Sequence, residues 1–237
     1  MHLRIVGSSP AWPNPGSACS GHLVDGRLLL DCGPGVLAKL RELEPWPTVE
    51  AIAISHLHLD HWGDLVPWVW GSLFGAGAGL PRPRLLLPPG SVDELRPLLG
   101  KLGNERMLER VFDVEEFAAG VALDVAGLRL TPHRVVHYDL DAYGFRVEDG
   151  AAALAYSGDS GPCSSLVELA RDADLLLCEA TLDDPDEGDE RGHLTPAEAR
   201  EVQERAEARR LVLVHRPHER APLDGYELAR DGLELEL

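Results

Sequence analysis

The segment His56-Leu57-His58-Leu59-Asp60-His61 places four metal-ligating side chains within six residues. It follows Ala51–Ser55 (AIAIS), an apolar run that reads as a buried strand. The ligands therefore stand where a strand opens into a loop. In an extended stretch His56 and His58 point the same way, because side chains alternate. A turn after them lets Asp60 and His61 face a second point nearby. One tetrahedral zinc does not take all four from so tight a loop, whereas two adjacent divalent ions can share them. Imidazole and carboxylate suit Zn2+, with Mn2+ or Fe2+ as alternatives.

Two ions need more ligands than this loop supplies, and the remaining candidates also sit at strand ends. Asp159 follows ALAYS in Ser157-Gly158-Asp159-Ser160. A carboxylate there can bridge two ions about 3.5–4 Å apart; an Asp opening a helix is the plainer reading. His215 ends the apolar run LVLV, and His218 competes less well because it lies past Pro217 in a turn. His137 follows RVV, but His133 competes, and strand spacing does not decide between them. His193 precedes Thr195, Pro196 and Glu198, which read as an N-cap, a first helical position and a capping box. A histidine at such an N-terminus shares an electropositive end suited to an anion. A solvent-exposed histidine before a cap is the alternative.

The positioning elements are short apolar β-type runs alternating with amphipathic helical patterns. Expected strands are 3–6, 27–31, 51–55, 84–87, 128–132, 142–147, 152–157, 175–179 and 211–215. Expected helices are 35–43, 65–74, 92–102, 164–171 and 196–208. Strands mixed with helices over this length imply sheets covered by helices. The stretch 110–147 is mostly strand, which favours a layered α/β sandwich over a doubly wound sheet. Gly75–Pro83 (GAGAGLPRP) reads as a mobile loop and the acidic 183–190 as an exposed one. Neither a repeat nor a long linker is visible, so residues 1–237 form one domain.

The chain has 237 residues with Lys+Arg 22 and Asp+Glu 40, a formal charge of −18. Gripping long nucleic acid needs rows of cations, so that function is disfavoured, as is an anionic membrane surface. No apolar run approaches the ~20 residues of a membrane span. The four scattered cysteines suit a reducing compartment. The start MHLRIVGSS reads as a strand and not as a signal peptide. Both point to a cytoplasmic location.

HLHLDH, His137, Asp159 and His215 in this order resemble the metallo-β-lactamase fold of dinuclear hydrolases. Gly7-Ser8-Ser9, the segment LLLDCG and the segment YSGDS add to the likeness, which covers nearly the whole chain. The resemblance implies an αββα four-layer sandwich with two metal ions at one edge. It implies His56, His58 and His137 on the first ion, Asp60, His61 and His215 on the second, and Asp159 between them. Asp31, at the end of LLLD, is expected either to orient a ligand histidine or to serve a turn. Trp62 beside His61 is a candidate to face a base or aryl group, while Trp68 and Trp70 read as core. A homodimer is also implied.

His193-Leu194-Thr195 and the segment CEATLDD resemble the ribonuclease Z and phosphodiesterase branch, in which the corresponding histidine assists the phosphate. Ribonuclease Z carries a long arm that clamps tRNA between the third histidine and the bridging Asp. Here His137 and Asp159 are 22 residues apart, room for a strand pair and no arm. The pattern is therefore more similar to small bacterial phosphodiesterases acting on cyclic nucleotides or related small phosphodiesters. In such an enzyme a water activated by the two ions attacks phosphorus, Asp60 orients the nucleophile or takes its proton, and His193 steadies the phosphate or protonates the leaving group. Arylsulfatase, lactonase, phosphotriesterase and ribonuclease Z-like RNA cleavage are the alternatives within the fold. A β-lactamase typically has Cys at the bridging position, a glyoxalase II usually adds a C-terminal helical domain, and a diiron flavoprotein typically has Glu in place of His58. A binding module without activity would have lost ligands, and here all seven positions are filled.

Overall fold

Apolar side chains on both faces of nearly every central strand mean that each sheet must be covered twice. The computed structural model describes residues 1–185, 191–220 and 223–237 and shows how this is done. One sheet has seven strands: β1 (His2–Gly7), β2 (Gly21–Val24), β3 (Leu28–Leu30), β4 (Ala51–Ala53), β5 (Arg84–Leu87), β6 (Asp113–Glu116) and β13 (Glu234–Glu236), in the order β13-β1-β2-β3-β4-β5-β6. The other has six: β7 (Leu123–Val125), β8 (Leu128–His137), β9 (Leu140–Glu148), β10 (Ala153–Tyr156), β11 (Leu175–Glu179) and β12 (Leu211–Val214), in the order β12-β11-β10-β9-β8-β7. Helices α1 (Val36–Arg41), α2 (Leu59–Trp62), α3 (Leu65–Phe74) and α4 (Ser91–Lys101) belong to the first half; α5 (Ser164–Ala170) and α6 (Pro196–Ala206) follow in the second.

Strand alternation divides the interior into three cores. Leu28, Leu30, Ala51, Ala53 and Leu86 meet Leu154, Tyr156, Leu175, Leu177, Val212 and Val214 between the sheets. Leu29, Ile52, Leu85 and Leu87 turn the other way, onto Leu37 of α1, Trp68 of α3 and Leu95 of α4. Ala155, Leu176, Cys178, Leu211 and Leu213 do the same beneath Leu166 of α5 and Val202 of α6. The order of layers is helix, sheet, sheet, helix, the αββα sandwich expected from the sequence.

The helix at 65–74 and the strands at 84–87 and 175–179 lie where the sequence places them. Thr195 and Glu198 close the expected capping box on α6. The strand expected to stop at Pro132 instead runs on to His137. The Pro132 carbonyl accepts from Gly120 N at 2.7 Å, so its nitrogen faces away from β9. On that side β7 pairs only with Leu128–Leu130, so the missing N–H breaks no ladder bond. The four strands not foreseen are β2, β6, β7 and β13. Of these, β6 (DVEE) and β13 (ELE) are the two edges of the seven-stranded sheet. Their carboxylates hide the strand pattern while guarding an exposed edge. Residues 75–83 carry no regular element, as expected, whereas residues 186–190 of the acidic stretch lie outside the described residues. Among the described residues no helix is long and apolar enough to cross a membrane.

Candidate metal centre

The carboxyl ends of β3, β4, β8, β10, β11 and β12 deliver Asp31, His56, His137, Asp159, Glu179 and His215 to one edge of the sandwich. Open α/β sheets place ligands at such strand ends. The loop after β4 is pinned from the side: Cys32 N donates to His61 O at 2.7 Å and Ser20 N to Asp60 O at 3.2 Å. Gly33 makes this approach feasible, since a Cβ there would stand 1.8 Å from the Asp60 carbonyl.

Three groups of potential ligands result among the described residues: two carry the seven expected ligands, and the third is Glu179, His193 and His215. His56, His58, His137 and Asp159 offer atoms within 4.8 Å of one another, and so do Asp60, His61, Asp159 and His215. Asp159 belongs to both. Its Oδ2 lies 3.9 Å from His56 Nε2 and from His137 Nε2, and 3.3 Å from His61 Nε2 and from His215 Nε2. Asp60 Oδ2 lies 3.2 Å from His61 Nε2 and 3.1 Å from His215 Nε2. His137 Nε2 and His58 Nδ1 face each other at 2.9 Å. All seven residues are brought together. His133, the competitor of His137, belongs to none of the groups, and His218 is exposed beside Glu219.

The donor set fits divalent cations on observations that ion pairs alone do not explain. His56 Nε2, His61 Nε2 and Asp159 Oδ1 are buried without a hydrogen-bond partner. Such atoms are costly unless something takes their lone pairs. Burial pushes His56 well below the ordinary imidazole value and His137 down to about 4, so both are neutral at pH 7, the state a metal requires. Burial would raise the Asp159 carboxyl, but the His215 and His61 imidazoles hold it well below the usual carboxylate range. Burial opposes charge on His61 too, yet Asp159, Asp31 and Asp60 outweigh it and push that imidazole up. In effect a proton there balances carboxylates that a cation would otherwise balance.

The opposite ring nitrogens are held by oxygens, which aims Nε2 at the centre. His61 Nδ1 donates to Asp31 Oδ2 at 2.7 Å, the orienting role considered for Asp31. Asp31 also accepts from Ser55 N at 2.7 Å and from Tyr156 Oη at 2.6 Å. His137 Nδ1 donates to Gly192 O at 2.7 Å. His215 Nδ1 lies 2.9 Å from Thr181 Oγ1, whose hydroxyl donates to Glu179 Oε2 at 3.0 Å. Asp31 and His215 take φ values of 59° and 56°, a left-handed backbone uncommon outside Gly and Asn. Each re-aims a side chain just where its strand ends.

His193 lies beside both principal groups. Its ring is 4.9 Å from that of His137 and 5.6 Å from that of His215, stacked on the latter at 18°. His193 Nδ1 donates to Glu179 Oε1 at 2.9 Å. Arg191, paired with Glu198 at 2.7 Å, also donates to the His193 carbonyl and fixes the approach to α6. Sequence reasoning missed Glu179. The available signal was a carboxylate closing the wholly apolar strand LLLCE, much as Asp31 follows LLL. Trp62 does not face the site as considered: it is buried in the outer core, its indole N–H on Leu57 O at 3.0 Å. Of the two tryptophans read as core, Trp68 is core, whereas Trp70 is exposed.

Two helix-covered sheets carrying a His/Asp cluster at their strand ends define a metallo-hydrolase of the metallo-β-lactamase fold. A family model described as a beta-lactamase superfamily domain matches residues 26–216, and the chain belongs to that superfamily. It is similar to the probable metallo-hydrolase YhfI of Bacillus subtilis strain 168, with 27% identity over 227 residues, 92% of this chain and 88% of YhfI. The crystal structure of YhfI superposes with a TM-score of 0.84 at 24% identity, covering 99% of each chain. A ribonuclease Z of Mycobacterium bovis is 30% identical over 198 residues, 75% of this chain and 69% of that protein. The short form of human tRNase Z superposes with a TM-score of 0.78 at 26% identity, covering 100% of this chain and 99% of that one.

Proposed function

We propose that the protein is a phosphodiesterase that hydrolyses small phosphodiesters, cyclic nucleotides among them, at two divalent ions, with Zn2+ the first choice. The observation that carries this reading is His193. It is an imidazole anchored by the buried Glu179 and set against one histidine of each ligand group. A hydrolase that needed only a polarised carbonyl would have little use for it; a phosphate diester needs its non-bridging oxygens steadied and its leaving alkoxide protonated. The likeness to ribonuclease Z supports the same ester class.

In this reading His56, His58 and His137 hold one ion, Asp60, His61 and His215 the other, and Asp159 both. The ions supply charge neutralisation for the phosphate and a water of lowered pKa. Asp60, within 3.2 Å of two imidazoles, is placed to orient the attacking water and accept its proton. With Nδ1 committed to Glu179, the proton that His193 delivers to the leaving oxygen is the one on Nε2. Water adds to phosphorus, the ester P–O bond breaks, and the products are a phosphomonoester and an alcohol, which in a cyclic diester are two groups of one ring-opened molecule. Only the strand pair β9 and β10 separates His137 from Asp159, leaving no arm for tRNA. With a charge of −18, this favours a small substrate over a long nucleic acid.

The test is hydrolysis of bis(p-nitrophenyl) phosphate, with metal content measured on the same sample and p-nitrophenyl sulfate and a lactone run in parallel. Diester turnover with about two ions per chain is expected. A fully loaded protein that cleaves only the sulfate or the lactone would move the activity to that ester class.

A further inference from the structure

Tyr138 occupies a place in the site that neither the metal ligands nor His193 accounts for. It is the first residue of the two-residue connection between β8 and β9, directly after His137. Its φ is 50°. Hairpin loops of this length favour Gly, Asn or Asp where φ is positive, and an aromatic side chain there is an outlier. Backbone strain of this kind persists where the surroundings enforce it and concentrates at working sites.

The surroundings do enforce it. The Tyr138 ring lies 4.9 Å from the His137 ring at 51°, and 5.8 Å from the His193 ring at 81°, edge to face. Beneath it the chain is bare: a Cβ on Gly192 would stand 2.3 Å from Tyr138 Cε2, so the ring rests on the backbone that carries His193. Yet Tyr138 remains 41% exposed. A large aromatic surface is thus seated on both the ligand His137 and the anchored His193 and still faces solvent. Leu59, between His58 and Asp60, adds an exposed apolar side chain at the same edge.

We propose that Tyr138 determines specificity: its ring receives the aromatic part, a nucleobase or an aryl group, of the phosphate ester whose phosphate lies beside His137 and His193. This rests on the reading of the site as one for phosphate esters and names the half of the substrate that reading leaves open. Ring-on-ring contact is tolerant of ring identity, so selection would be for an aromatic substituent over an aliphatic one.

The experiment is calorimetric titration of the zinc-loaded protein with phenyl phosphate and with methyl phosphate, which share the phosphate and carry an aryl ring or a methyl group on it. The wild type should bind phenyl phosphate about tenfold tighter. Tyr138→Phe should keep that ratio. Tyr138→Asn, a residue that tolerates positive φ and so preserves the turn, should bring it to about one while leaving methyl phosphate affinity and metal content unchanged. An absent preference in the wild type overturns the proposal, as does a preference that survives Tyr138→Asn. So does a parallel loss for both ligands, which would mark Tyr138 as merely structural. Because the titration needs no turnover, phosphate binding without diester hydrolysis would sink the phosphodiesterase reading alone, whereas no binding of either ester would sink both.

Discussion

Glu179 and His193 are joined at 2.9 Å across the end of β11, and the same carboxylate reaches His215 through Thr181. One fully buried group thereby sets the orientation of a ligand histidine and of the histidine assigned to the phosphate. Its charge is met by Ser160 N at 3.1 Å and Thr181 N at 2.9 Å as well as by His193.

His193→Ala should lower kcat by about 10²–10⁴-fold with both ions retained, the range for losing a general acid. Glu179→Gln should cost about 10–100-fold, because the amide keeps the shape but weakens the grip on His193 and on Thr181. Steady-state kinetics with metal analysis checks both. A His193→Ala protein that loses an ion would make His193 a ligand instead.

Asp159 is the only residue shared by the two principal ligand groups. Asp159→Ala should abolish activity and reduce the metal content, read by elemental analysis after gel filtration. Retained turnover with two ions bound would remove it as the bridge. In the same assay His133→Ala should cost far less than His137→Ala.

Asp31→Asn should weaken metal binding by about 10–100-fold, since His61 loses its anionic partner and the single amide oxygen can serve either Ser55 N on one side or His61 and Tyr156 on the other. Competition with a chromogenic chelator reads the affinity directly. An unchanged dissociation constant would confine Asp31 to shaping its turn.

His22, which is not itself a ligand, supplies a further pH dependence, dominated by burial and modified by Asp31, His61 and His215 nearby. It is buried edge-on to Tyr156 at 4.8 Å, and neither ring nitrogen has a hydrogen-bond partner. Burial pushes its pKa down to about 3 from the ordinary 6.5. Between those values the unfolded chain binds a proton that the folded protein refuses, so stability falls as pH falls, by up to about 1.4 kcal/mol per unit. His22→Leu should flatten the acid limb of a plot of Tm against pH and leave the limb above pH 7 parallel to wild type. Parallel curves throughout would show that His22 gains a proton and a partner on acidification.

The ligand set was legible because HLHLDH packs its chemistry into six residues and because Asp159 and His215 close apolar runs. The choice of His137 over His133 was not, since both lie on β8 at positions four apart, and only the register against β9 brings His137 to the edge. The roles of Glu179 and Tyr138 were not legible for a related reason, although a carboxylate closing LLLCE was there to be noticed: their meaning comes from partners 14 and 55 residues away, His193 for the one and the chain segment carrying it for the other. The edge strands escaped because Asp113–Glu116 and Glu234–Glu236 spend their side chains on solubility, so no apolar alternation remains to be read.

Each principal ligand group draws atoms from both halves of the sandwich. His56, His58, Asp60 and His61 come from the seven-stranded sheet, and His137, Asp159 and His215 from the six-stranded one. A cation bound in either group is consequently a rivet between the two sheets. Prising the halves apart and emptying the centre become one event, so the catalytic edge is also the seam that fastens the molecule.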